Sequence, residues 1–141
     1  METTEMDRLI SEHIVAEMVG SAHKAVAMYT DDIEHDVVGF PGGPARDKAG
    51  AQAFYERLIR DFHTEKMTPT HSYYGSDFCV MEHECIGTVT GNFLGAEGNN
   101  RRVVFRLLHV WEFRDHRISR ENVWLDGGSI IAQLTAPSPE N

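Results

Sequence analysis

The 141-residue chain reads as one α+β domain, with three helices leading into a long antiparallel meander of strands. Three observations predict this. Apolar residues recur at three and four up to Phe62; from Thr70 onward they alternate at every second position; and turn-rich segments separate the alternating runs. Helices gathered on one face of a strongly curved sheet would leave a pocket beneath them.

Each element has its own local reason. From Glu5 to Val19, Met6, Leu9, Ile10, Ile14 and Met18 form an amphipathic stripe, and His13 falls inside it. Gly20-Ser21 interrupts and recaps the chain, so Ala22 to Tyr29 is expected as a second short helix ending at Thr30-Asp31-Asp32. IEHDVVGF, residues 33 to 40, is β-branched and short enough for a strand, and PGGPARDKAG after it is a loop. Asp47 can cap a third helix whose apolar face carries Ala51, Phe54, Tyr55, Leu58, Ile59 and Phe62.

The segments 70–74, 77–93, 101–113 and 117–125 then read as strands, broken by GAEGNN and by Arg114-Asp115-His116. GSIIAQL closes the domain as a strand or a helical turn. The ordered core is expected over 5–134, with TAPSPEN, 135–141, as a frayed tail.

Composition narrows the function. Hydrophobic residues make up 41% and charged residues 25%, the balance of a chain that folds without a partner. With 22 acidic against 13 basic residues the formal charge is −9, which argues against nucleic acid or an anionic membrane as a partner. No apolar stretch approaches the ~20 residues of a membrane span, and METTEMDRL lacks the basic-then-apolar pattern of a signal peptide, so a cytoplasmic location is expected. Cys79 and Cys85 share one strand face about 20 Å apart at ~3.3 Å per residue, too far to bridge. Two buried thiols are expected, and no metal, because no ligand cluster of zinc-like spacing adjoins Cys79, His83 and Cys85.

Several titratable residues interrupt apolar patterns. His109 shares its strand face with Val103, Phe105, Leu107, Trp111 and Phe113, so it points inward, either as a structural core histidine or as a polar group in a pocket. On the next strand Ile118, Arg120, Asn122, Trp124 and Asp126 fall on one face, and Ser119, Glu121, Val123 and Leu125 on the other. Asn122 and Trp124 suit a pocket wall, while Asp126 sits at a strand exit where local capping is equally natural. Asp36, turned inward with Glu34 by alternation, is a candidate general base. No P-loop, GxGxxG, HExxH or GxSxG motif occurs.

GTVTGNFLG (87–95), RRVVFRLLHVWEFRDHRI (101–118) and WLDGGSIIAQL (124–134) together resemble the SnoaL-like polyketide cyclases of the nuclear transport factor 2-like superfamily. The resemblance implies a cone-shaped α+β barrel, a homodimer, and no metal or organic cofactor. It carries the family's inward histidine onto His109 and its catalytic acid onto Asp126. DDIEHDVVG is similar to the segment that holds the general base in ketosteroid isomerases, which puts Asp36 at the base, with His13 and His109 at the two oxyanion-hole donors. Neither donor has the isomerase residue type, and His116 stands where the family's turn glycine usually lies.

The expected activity is cofactor-free proton transfer of the cyclase, isomerase or lyase type on a small, largely apolar carbonyl compound. Asp126, His109, Asp36 and His13 are the expected catalytic groups. The expected pocket lining is Tyr29, Phe54, Leu58, Phe62, Phe105, Leu107, Trp111, Asn122 and Trp124. The alternative is a non-catalytic small-molecule-binding or dimeric interaction module of the same fold. Convergence of His109 with a carboxylate in an enclosed cavity favours the enzyme; a cavity filled by Trp111, Phe113 and Trp124 favours the module.

Overall fold

A computed structural model describes residues 1–137. It is built from α1 (Thr3–Met18), α2 (Ala22–Ala25), β1 (Tyr29–Val38), α3 (Lys48–Asp61), β2 (Phe62–Tyr74), β3 (Phe78–Val89), β4 (Asn92–Phe93), β5 (Ala96–Glu97), β6 (Arg101–Arg114), β7 (Arg117–Leu125) and α4 (Gly127–Thr135). Five strands form one sheet in the order β1-β7-β6-β3-β2, and β4 pairs with β5 in a separate ribbon. Only β1 and β7 run parallel. The sheet is mixed and curved, with the helices against it, but β1 and β2 remain its two edges. It does not close into the barrel that the family resemblance implies.

Local chemistry explains most boundaries. Asp47 Oδ1 accepts the Gly50 N–H at 2.7 Å and starts α3. Met6, Leu9, Ile10, His13 and Ala16 bury one stripe of α1. The two-residue turn between β6 and β7 places Asp115 and His116 at φ of 52° and 59°, the left-handed pair a tight hairpin requires. Asp126 Oδ1 accepts the Ser129 N–H at 3.1 Å and caps α4, so GSIIAQL is helical rather than extended. Gln133 in α4 pairs its amide with both backbone groups of Val104, accepting at 2.9 Å and donating at 2.8 Å. The tail expected over 135–141 falls partly at 138–141, outside the described residues.

Three boundaries differ from expectation. Tyr29 opens β1 instead of ending a helix, because α2 lasts only four residues. Phe62 opens β2, which runs eight residues earlier than the alternating stretch suggested. β2 is an edge strand, where Pro69 is tolerated, and register shifts between Thr64 and Lys66 and between Pro69 and His71 break its alternation.

The irregularity with most effect lies in β7. Glu112 opposes Arg120 while Phe113 opposes Ile118, so Ser119 is an extra residue in a β-bulge. Ile118 is buried, and beyond the bulge the inner face passes to Glu121, Val123 and Leu125. Trp124 and Asp126 are exposed. On β1 the inner positions are Ile33, His35 and Val37, so Asp36 lies on the outer face, where Asn122 approaches it at 3.4 Å.

Two apolar clusters flank the interior. One gathers α1, α2 and α3 residues around Tyr29, Ile33, Trp111, Phe113 and Ile118; the other gathers Phe62, Val89, Phe93, Val103, Phe105, Val123, Ile130 and Leu134. Leu58 packs against both. Cys79 lies in the first and Cys85 in the second, both as free buried thiols. No helix among the described residues is long and apolar enough to cross a membrane.

Gly87 shows how tightly β2 and β3 meet: a Cβ there would lie 2.3 Å from the Phe62 ring and 2.6 Å from the His63 carbonyl oxygen. Gly87→Ala is therefore expected to destabilise the fold by about 1–3 kcal/mol, the cost of overpacking, measured as a lower urea midpoint at unchanged m-value.

Candidate active site

Between the two clusters lies a cavity of about 50 Å³. Its apolar wall comes from Val37, Phe40, Phe54, Leu58, Phe62, Met67, Phe93, Phe105, Leu107, Val123 and Leu125; its polar groups are Glu17, Tyr55, Thr64, Cys85, His109 and Glu121. Phe40, Phe54, Leu58 and Phe93 also line an adjoining cavity of about 190 Å³, which carries Arg57, Asp61 and Asn92. These four side chains form the common wall, and their rotation would join the two spaces.

The polar centre is the carboxyl of Glu121, only 1% exposed. Tyr29 donates its hydroxyl hydrogen to Oε1, and Tyr55 donates to Oε2 at 3.0 Å. His13 Nε2 stands 3.3 Å from Oε1, and His109 Nε2 stands 3.7 Å from Oε2, beyond hydrogen-bond reach. His35 Nε2 lies 2.9 Å from the Tyr55 oxygen. Tyr55 has one proton to give, so an N–H from His35 to Tyr55 and an O–H from Tyr55 to Glu121 satisfy all three. His13 Nδ1 donates to the Ala25 carbonyl at 2.7 Å, which holds the ring in place and leaves Nε2 as an acceptor when the ring is neutral.

Two opposed effects act on Glu121. Donation from Tyr29 and Tyr55 favours the carboxylate, but burial disfavours it more, and the balance pushes its pKa up to about 7. Glu17 also reaches about 7, raised by burial and by Glu121 and lowered by His13. Burial drives the histidines down: His35 to about 3, with His13 adding to the effect, and His109 well below its usual range, with His83, His13 and His35 adding. His13 is also lowered by burial, against the pull of Glu17 and Ala25. Tyr29 and Tyr55 are raised well above 10 by burial and then by Glu121, so they remain donors.

The structure thus brings His13, Tyr29 and His109 around one carboxyl group and places Phe54, Leu58, Phe62, Phe105 and Leu107 in the cavity wall. Trp111 lies behind it, stacked on His109 with ring centroids 4.8 Å apart. Asp126, Asp36, Asn122 and Trp124 are not in the cavity. Asp126 is an exposed helix cap, and Trp124 donates to Asn122 at 2.6 Å on the outer face. Regular alternation puts Asn122 and Trp124 on the face of Ile118 and Glu121 on the opposite one, and the extra residue at Ser119 reverses this beyond the bulge. Glu17, Tyr55 and His35 join the site only through the tertiary fold. The signal for Tyr55 was its place on the apolar stripe of α3, and for His35 its position between Ile33 and Val37. Neither Trp111, Phe113 nor Trp124 fills the cavity.

Burial of Glu121 makes stability pH-dependent. Its folded pKa lies above the unfolded value of 4.5, so its neutral form stabilises the fold below that value and the contribution is lost as pH rises through about 7. Glu121→Gln keeps the side-chain shape, accepts from one of the two tyrosines and cannot ionise. Relative to wild type, the variant is expected to gain on the order of 3 kcal/mol between pH 4 and pH 9, read from urea unfolding across that range.

Comparison with known proteins places this geometry. No curated protein matches the chain significantly. TsrD from Streptomyces laurentii superposes with a TM-score of 0.80 at 18% identity, over 97% of this chain and 99% of that one. A protein named as a candidate polyketide cyclase from Xanthomonas campestris pv. campestris gives 0.78 at 18% identity, over 94% and 98%. A protein with a ketosteroid isomerase-like fold from Catenulispora acidiphila, in complex with trimethylamine, gives 0.76 at 14% identity, over 93% and 97%. At such identities the likeness is one of fold. The model of the SnoaL-like domain matches residues 7–121, the segment that supplies His13, Tyr29, Tyr55, His109 and Glu121, and the chain belongs to this family.

Proposed function

We propose that the cavity binds a small, largely apolar carbonyl compound and that Glu121 moves a proton at the carbon next to the carbonyl, without a cofactor. One observation carries this reading: the buried carboxyl of Glu121, which burial pushes up to about 7, lines a cavity walled mainly by apolar side chains. A base is most effective when its pKa lies near the working pH, and burial supplies that match here. His109 can meet the developing enolate oxygen: it is neutral and lines the cavity with its Nε2 outside hydrogen-bond reach of Glu121, whereas the one proton of Tyr55 is committed to Glu121. Cyclisation, isomerisation and elimination all begin with such a proton transfer.

The second reading is a non-catalytic binding module. In either reading a ligand must first displace the Phe40, Phe54, Leu58 and Phe93 wall, because about 50 Å³ is far below the ~300 Å³ of a typical ligand site. Deuterium uptake at the α-carbons of cyclohexanone in D2O, followed by NMR, separates the two. Wild type is expected to accelerate uptake with a rate that rises through pH about 7 as Glu121 ionises. Glu121→Gln should lose about 100-fold or more of that acceleration, whereas Asp126→Asn and Asp36→Asn should retain it. Binding of the ketone without accelerated uptake would favour the module.

We propose that a second copy of the chain packs on the outer sheet face, a reading supported by the exposure of Trp124 at 54% and Val104 at 40%. Trp124→Glu should then shift the chain from dimer to monomer in sedimentation equilibrium.

A further inference from the structure

Glu17 lies one turn beyond His13 on α1, and its carboxyl Oε2 stands 3.6 Å from His13 Nε2. The same nitrogen stands 3.3 Å from Glu121 Oε1. With the Nδ1 hydrogen committed to the Ala25 carbonyl, Nε2 of a neutral ring carries only a lone pair. Three acceptors would then face one another inside the protein, a repulsive arrangement unless a proton sits among them. Glu121 and His13 are buried, with side chains 2% and 1% exposed, and Glu17, which also borders the cavity, is the most exposed of the three at 15%.

We infer that Glu17 and His13 form a proton outlet for Glu121, carrying the proton it takes in the cavity to the protein surface. The inference rests on Glu121 acting as the base. In balance, a proton leaves the substrate carbon for a Glu121 oxygen, and the carbon's electron pair becomes the enolate. The Glu121 proton passes to His13 Nε2, giving an imidazolium that the Ala25 carbonyl holds through Nδ1. Nε2 yields the proton to Glu17, and Glu17 releases it to solvent. Glu121 returns to its carboxylate with the cavity closed. Delivery of a proton to a product carbon runs the same path backward. Glu17 acts through His13 and is a positioning residue for proton exchange.

The other groups packed around His13 leave this path as the one available. Tyr29 stacks on the ring and Tyr55 meets it edge-on with its oxygen 3.1 Å from Nε2, but both are held protonated by burial. Trp111 meets the ring edge-on and does not titrate, while burial holds His35 and His109 neutral. Glu17 and Glu121 are the two carboxyl groups within 4 Å of Nε2.

Two measurements test the outlet, the first without any substrate. Infrared titration of protein carrying 13C-carboxyl glutamate should show the buried carboxyl groups ionising in two steps more than about one pH unit apart, as groups sharing a proton must. In Glu17→Gln a single step should remain, with its midpoint below the second wild-type step. One superposed step in wild type, or an unmoved Glu121 step in the variant, would overturn the proposal; the wild-type result decides even if the variant does not fold.

The second measurement is cyclohexanone deuterium uptake. Glu17→Gln should slow it about tenfold and flatten its pH profile, and Glu17→Asp should recover part of the rate. If Glu121→Gln abolishes uptake while Glu17→Gln leaves it unchanged, the outlet is wrong and the assignment of Glu121 as base stands. If Glu121→Gln leaves uptake unchanged, that assignment fails and the outlet fails with it.

Discussion

An ionisable carboxyl group cut off from water must be neutral, or must be met by enough donors to replace its hydration, and the interior of this protein is organised around that requirement at Glu121. Tyr29 comes from the first strand, Tyr55 from the third helix, His13 from the first helix and His109 from the central strand. Two of these residues, Tyr29 and Tyr55, donate to the carboxyl, so the first strand and the third helix must dock in register before it is satisfied. Removing either donor would leave a buried oxygen short of a partner, at a cost of about 1–3 kcal/mol. The tyrosines cannot hold the charge unaided against burial, which leaves the group close to half-ionised near neutrality.

That balance is what the proposed proton transfer requires. A structural carboxylate is usually paired with a cation and held well below neutrality. No arginine or lysine is paired with Glu121 among the described residues; its neighbours are hydroxyls and neutral rings. The arginine of the same strand, Arg120, instead pairs with Glu34 at 2.7 Å and Glu112 at 3.2 Å toward the outer side. Alternation thus sorts the charges of β7, the compensated ones outward and the uncompensated one inward.

Sheet curvature decides which groups share the cavity. Bulges in β2 and β7 break the regular pleat, and each bends its strand while transferring the inner face from one set of residues to the other. Ser119 is the critical insertion. Were Ser119 part of a regular pleat instead of a bulge, Arg120, Asn122 and Trp124 would continue the face of Ile118 into the interior. Glu121 would be left in solvent, where its pKa would have no reason to rise. The Ser119 bulge is thus part of the site although its side chain touches none of the chemistry.

Much of this was legible in the chain itself. Three-four spacing located α1 and α3, Asp47 announced the start of α3, and period-two alternation turned His109 inward with Phe105, Leu107 and Trp111. These are properties of neighbours in sequence, which local pattern records. The resemblance over most of residues 28–134 pointed to the family whose model matches residues 7–121. The identity of the buried acid was a different matter. Asp126 and Asp36 held the positions expected of an acid, yet one caps a helix and the other lies on the outer face. A β-bulge is defined by two residues on one strand facing one on its partner, so it exists only once the strands pair. From sequence alone, then, came the helices, the strands, the apolar wall and an inward histidine. Which carboxyl joined that histidine was settled by the pairing of β7 with β6, because an inserted residue reverses every side chain beyond it.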